Sequence, residues 1–154
     1  MPCAKQEKKS GIKNLLLVLD YNEYIFAFGI LKKPSSKTLI DTILDSFPIH
    51  SIRIPRLVVE EVGRHLTPEE FREFIEFVMN LASIDEDFVV PFELGVRYEL
   101  EGLKPADAFI AAYVEWTGAA ALVTENRHFL SRHSNLPFKI LNAEKCLKII
   151  KSSI

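Results

Sequence analysis

The sequence predicts an α/β domain organised on a parallel sheet, and three observations carry that prediction. Two short apolar stretches, Leu15–Leu19 and residues 119–124, contain too few residues for a buried helix and suit strands covered on both faces. Segments with apolar residues at helical spacing alternate with such runs, the pattern of βα units feeding a parallel sheet. The length, 154 residues, points to one domain able to bury roughly 70% of its unfolded surface.

The elements follow in order. Residues 1–13 carry Lys5, Lys8, Lys9 and Lys13 against Glu7 and read as a flexible basic arm, leaving 14–154 as the folded domain. After the first strand, Ile25, Phe26, Phe28 and Ile30 place a helix over 22–31, closed by Gly29 and by Lys32-Lys33-Pro34. Ser35 or Ser36 caps the next helix, whose stripe is Leu39, Ile40, Ile43, Leu44 and Phe47 and which Pro48 stops. Residues 49–54 alternate as a strand, and 56–66 form a helix opened by Pro55. Thr67-Pro68-Glu69-Glu70 combines an N-cap, a proline at the first position and a glutamate at the third; a helix with a wide apolar stripe follows. Residues 83–87 read as a turn, 88–91 as extended and 93–102 as a helix. Lys104-Pro105-Ala106-Asp107 opens a helix ended by Gly118, 138–141 is a last strand, and 143–150 a closing helix.

Bulk properties exclude several function classes. Lys and Arg total 19 against 21 Asp and Glu, a net charge of −2, so no global basic field marks a nucleic-acid binder; a local basic rim remains compatible. Cys3 and Cys146, at opposite ends, form neither a disulfide framework nor a paired metal motif, which suits a reducing cytoplasm. No run approaches the length of a membrane-spanning helix, and the first 13 residues lack the apolar core of a signal peptide. A phospho-acceptor receiver domain also places acids at strand ends, but paired acids before the first strand and a matching lysine are missing.

The candidate chemistry lies in acids at strand exits. Asp20 and Asn22 follow the first strand, Asp107 lies in the first turn of a helix, and Glu125 and Asn126 follow the later strand. Neighbouring first and later strands would bring these groups to one edge of the sheet, where ligands of parallel sheets bind, with Glu60 or Glu61 able to join them. Crowded carboxylates raise one another's pKa, and a divalent cation relieves that repulsion. Oxygen ligands suit Mg²⁺ or Mn²⁺ rather than Zn²⁺, and such an ion supports phosphodiester hydrolysis. Taken singly, each residue also has a plain reading: Asp20 as a turn former or cap, Asp107 as a partner of the helix dipole, one of Glu60 and Glu61 as solvated surface, and Glu125-Asn126 as a loop.

The stretches VLDYN (18–22), VEEV (59–62), KPADAFIAAYV (104–114) and ALVTENRHF (121–129) together resemble the PIN-domain family, the ribonuclease fold of VapC-like toxins, from about residue 15 to 142. The resemblance implies a three-layer α/β/α sandwich around a central, mostly parallel, twisted sheet. It also implies Mg²⁺- or Mn²⁺-dependent endonucleolytic cleavage of single-stranded RNA. Carried over, Asp20, Glu61 and Asp107 match the family acids, and Asn126 stands where many members carry a fourth aspartate. Thr124 matches a hydroxyl that positions water or the acidic edge. Glu125 could compensate for the missing charge at 126, and Asn22 would orient Asp20 through a local hydrogen bond. An antitoxin protein and a homodimer are the partners it implies.

Lys32, Lys33, Lys37, Arg127, His128, Arg132 and His133 offer phosphate contacts around such a pocket, or are scattered surface charge. His128 and His133 make no convincing zinc pair, and Trp116 and most phenylalanines read as core rather than base-stacking platforms. Two functions therefore stand: a metal-dependent ribonuclease, and, motivated by the amide at 126, a non-catalytic PIN-like module that binds RNA or protein.

Overall fold

Leu15–Leu19 forms strand β1, and Leu17, Val18 and Leu19 are all buried, as expected of a strand covered on both faces. A computed structural model describes residues 14–47, 49–131 and 135–152 of the chain. The arm at 1–13, with Cys3, and the basic residues Arg132 and His133 lie outside the described residues, as does Pro48.

Helix α1 (Tyr21–Phe28) and helix α2 (Pro34–Ser46) lead to β2 (His50–Pro55). Helices α3 (Arg56–His65) and α4 (Pro68–Leu81) lead to β3 (Ala82–Asp85). A 3-10 turn (Asp87–Val89), α5 (Phe92–Leu100) and α6 (Pro105–Thr117) precede β4 (Ala121–Val123). The short α7 (Arg127–Leu130), β5 (Lys139–Leu141) and α8 (Ala143–Ser152) complete the chain.

The strands form one sheet in the order β3-β2-β1-β4-β5, and all four pairings are parallel. β1 is central, with Leu15 opposite His50 on one side and Leu17 opposite Ala121 on the other. The chain winds outward from β1 through β2 to β3, then crosses back to β4 and continues to β5. With right-handed crossovers the reversal carries α1–α4 to one face and α5–α7 to the other. α8 returns to pack on α2. Helices on both sides of a parallel sheet fit a three-layer α/β/α arrangement.

Local signals explain most boundaries. Thr67 and Glu70 form a reciprocal capping box: Thr67 Oγ1 accepts from Glu70 N at 3.2 Å, and Glu70 Oε1 from Thr67 N at 2.8 Å. Gly118 ends α6 in the left-handed region, φ 72°, with its N–H bonded to the Glu115 carbonyl. α1 stops at Phe28, earlier than residue 31, because Lys33 N bonds back to the Phe26 carbonyl; Ile30 and Leu31 are left exposed. α2 starts at Pro34 without a serine cap, and Ser36 is buried instead against Glu23.

Residues 83–87 differ most from the sequence reading. They contribute to an edge strand, because β2 supplies the pairing partner that their own polar pattern does not announce. Asp85 at its end accepts from Arg53 Nη2 and Nε, at 2.8 and 3.0 Å, and from the Tyr113 hydroxyl at 2.5 Å, tying β2, β3 and α6 together. Residues 88–91 are a 3-10 turn and its exit rather than an extended piece, and α7 was not foreseen.

The α1–α4 contact is aromatic. Phe74 is buried, with its ring edge-on to Tyr24 at 5.0 Å and to Phe28 at 5.8 Å. Phe74→Ala is expected to destabilise the protein by about 3–5 kcal/mol, lowering Tm by roughly 10 °C in a thermal melt. A shift of only a degree or two would mean that the contact is not part of the cooperative core.

Candidate active site at the β1–β4 switch point

In a parallel sheet, helices that follow strands begin at the strands' carboxyl edge, and the winding reverses between β1 and β4, where open α/β sheets bind ligands. Asp20 and Thr124 stand at the ends of those two strands. The backbone fixes their relation: Asp20 N donates to the Val123 carbonyl at 2.8 Å, and Thr124 N to the Leu141 carbonyl at 2.9 Å.

Asp20 is the N-cap of α1, and its carboxylate is held from two sides. Oδ1 accepts from Tyr21 N at 2.8 Å, and Oδ2 from Thr124 Oγ1 at 2.9 Å. Only 3% of Asp20 is exposed. Burial raises its pKa above the ordinary carboxylate value; the bonds from Thr124 and Tyr21 pull it back, and the Asp107 charge raises it again. Thr124, fully buried, also accepts from Asn126 N at 3.0 Å, so one hydroxyl joins the β1 and β4 exits.

Asp107 lies at the third position of α6, half-buried, and lines a recess together with Asn126. Tyr21 locates the rest. Its phenol is raised by burial first, and then by the charges of Asp20, Glu61 and Asp107, so all three carboxylates lie within electrostatic reach of one ring. Glu61 is half-buried while Glu60 is exposed. Glu61 is also paired with Arg64 at 2.6 Å.

Other residues lie differently from the sequence reading. Among the described residues, the hydrogen bonds to the Asp20 carboxylate come from Tyr21 and Thr124, and Asn22 makes none to it. The Asn126 amide oxygen caps α7 by accepting from His128 N at 2.9 Å. Glu125 turns away from Asp20: Oε1 meets Lys33 at 2.5 Å and Oε2 accepts Ala143 N at 2.9 Å, at the start of α8. It also faces Glu23, which is fully buried and takes the Ser36 hydroxyl at 2.8 Å. Lys33 is thereby used internally, and Lys37 is paired with Asp41 at 2.8 Å. Sequence reasoning missed Tyr21, Lys104 and Ser131; the position of Lys104 and Tyr21 beside family acids was the only available signal.

No protein-family model and no curated protein sequence matches the chain. Solved structures do. One is the VapBC2 structure from Rickettsia felis, bound to a DNA fragment from its promoter, at 19% identity and TM-score 0.58 over 83% of this chain and 98% of the other. Another is FitAcB from Neisseria gonorrhoeae, at 14% identity and TM-score 0.54, also over 83% and 98%. The fold is one shared with chains of toxin–antitoxin complexes. At these identities the likeness is one of fold.

The groups available to hold a hard cation are the oxygens of Asp20, Asp107, Asn126 and Glu61. Among the described residues, no three His, Cys, Asp or Glu side chains stand together as a ready cage. Asp20 and Asp107 are coupled through their charges, and both are carboxylates, the donor type of a Mg²⁺ ion, which takes one or two of them and keeps several waters. The raised pKa of Asp20 marks a negative charge that its surroundings only partly compensate.

Proposed function

We propose that this chain is a Mg²⁺- or Mn²⁺-dependent endoribonuclease of PIN type, cutting single-stranded RNA, and that it works as the toxin of a toxin–antitoxin pair. The observation that carries the reading is the buried Asp20 carboxylate at the switch point, clamped by Thr124 and facing the charge of Asp107. The fold shared with VapBC2 and FitAcB supports the toxin–antitoxin role and an antitoxin partner.

Asp20 and Asp107 would hold the ion, which supplies an activated water and neutralises charge on the phosphate. Thr124 keeps Asp20 turned outward from β1 with one oxygen pinned. Asn126 borders the same recess and contributes a polar amide without charge. Glu61, already paired with Arg64, would add its charge to the field at Tyr21.

Labelled single-stranded RNA is expected to be cut by the wild type in Mn²⁺, to survive in EDTA, and to survive Asp107→Asn. Full cleavage in EDTA or by Asp107→Asn would sink the reading. The lack of a three-acid cage among the described residues and the use of the Asn126 oxygen as a helix cap favour a second reading, a module that binds RNA or protein without cutting. Calorimetric titration separates the two: the nuclease takes up Mn²⁺ with Asp20 intact and loses it in Asp20→Asn, whereas the module shows no Asp20-dependent heat.

A further inference from the structure

A recess of about 480 Å³ opens beside the acidic edge, lined by Gly102, Leu103, Lys104, Asp107, Asn126, His128 and Ser131. Its size lies in the range of small-ligand sites. It shares Asp107 and Asn126 with the candidate active site and extends away from Asp20 between the start of α6 and α7.

The charges around the acidic edge are unevenly committed. Lys33 is paired with Glu125, Lys37 with Asp41 and Arg64 with Glu61. Lys104 is exposed, lines the recess, and makes no ion pair or side-chain hydrogen bond among the described residues, although Asp107 lies only three positions on. His128 and Ser131 line the same space, the Ser131 hydroxyl donating to the His128 carbonyl at 3.3 Å, and His128 is exposed and likewise without an ion pair among the described residues. An acidic edge repels a polyanion, and an uncommitted ammonium beside it offsets that repulsion at one point.

We infer that this recess is a nucleotide subsite of the RNA strand, in which Lys104 holds a backbone phosphate next to the phosphate at Asp20 and Asp107. The strand then runs over the α6–α7 side of the sheet edge; on the other side Lys33 and Lys37 are internally neutralised, and Lys32 alone is exposed without an ion pair among the described residues. The inference rests on the proposed action on RNA and adds where the strand lies.

Anisotropy of a fluorescent single-stranded oligoribonucleotide, titrated with the full chain in EDTA, reads binding without cleavage. Lys104→Ala is expected to weaken binding roughly fivefold and to lower the salt slope by about 0.7, the value for one phosphate contact on a single strand. Lys104→Arg is expected to restore both. Lys148→Ala removes the same charge from the exposed surface of α8 and is expected to change neither. Wild-type affinity in Lys104→Ala, an equal loss in Lys148→Ala, or no RNA binding by the wild type overturns the subsite. Cleavage in Mn²⁺ is scored separately. Absent cleavage with the Lys104 effect intact removes the nuclease and keeps the subsite, while normal cleavage with unaltered binding by Lys104→Ala does the reverse.

Discussion

Asp20→Asn is expected to lower Mn²⁺-dependent RNA cleavage at least about a thousandfold and, in the same protein, to raise Tm. The first effect follows from removing one of two carboxylates that would hold the ion; a thousandfold corresponds to about 4 kcal/mol of lost charge stabilisation. The second follows from burial. Asp20 is almost wholly covered, and its pKa is raised by desolvation first, with Asp107 adding to the cost of its charge. A group raised in the folded state contributes stability below its unfolded pKa and loses it as pH rises through the folded value. At pH 7 the carboxylate therefore opposes folding, and the neutral amide of the same shape relieves it. Asparagine keeps an oxygen for Tyr21 N, and the Thr124 hydroxyl can turn to accept from its NH₂. A gain of about 1 kcal/mol corresponds to roughly 3 °C in a chain of this size. Intact cleavage would remove Asp20 from the chemistry, and a lower Tm would show that its carboxylate stabilises the fold.

Wild-type Tm is expected to fall as pH rises from about 6 to 9.5, and Glu23→Gln to abolish most of that fall. Glu23 is buried under α1 and pushed up to about 9, by desolvation first and then by the neighbouring Glu125. Its Oε2 meets no donor as a carboxylate; a proton there supplies the bond to Glu125. The sign follows from the raised value: the contribution is full below about pH 4.5 and is lost as pH climbs through about 9. Glu125 runs the other way. Burial raises it, but the bonds from Glu23, Lys33 and Ala143 N outweigh that and hold it low, so its contribution fails only at acid pH. Glutamine at 23 donates permanently to Glu125 whatever the pH. At pH 9.5 Glu23→Gln is expected to melt about 5 °C above the wild type, the gap narrowing steadily as pH falls toward about 4.5. Parallel curves for the two proteins would mean that Glu23 is not the protonated member of the pair.

The contrast between Glu125 and Lys104 shows how far the site was legible. Glu125 is next to Asn126 in sequence and reads as a spare ligand, but its side chain crosses to Lys33, 92 positions away, and to the start of α8. Lys33 reads as a phosphate contact and is spent in the same bond. Lys104 reads only as the residue before a helix, and is the lysine left uncommitted beside Asp107. Pairing of charges depends on which distant segments meet, and local pattern carries no record of that. Asp20 and Asp107 are legible because one sits at a strand exit and the other at a helix start, whereas Thr124 enters the sequence reading only through the family resemblance.

By itself the sequence determined the elements with strong local physics: β1 and β4 from apolar runs, the α4 start from the Thr67–Glu70 box, and the α6 boundaries from Pro105 and Gly118. These depend on propensity and on hydrogen bonds between residues a few positions apart. The tertiary structure alone decided that β1 and β4 are neighbours, that residues 83–85 complete an edge strand, and which charges face the recess. Those outcomes come from ladder pairing and burial between segments far apart in the chain, whose energies exist only once the sheet has formed.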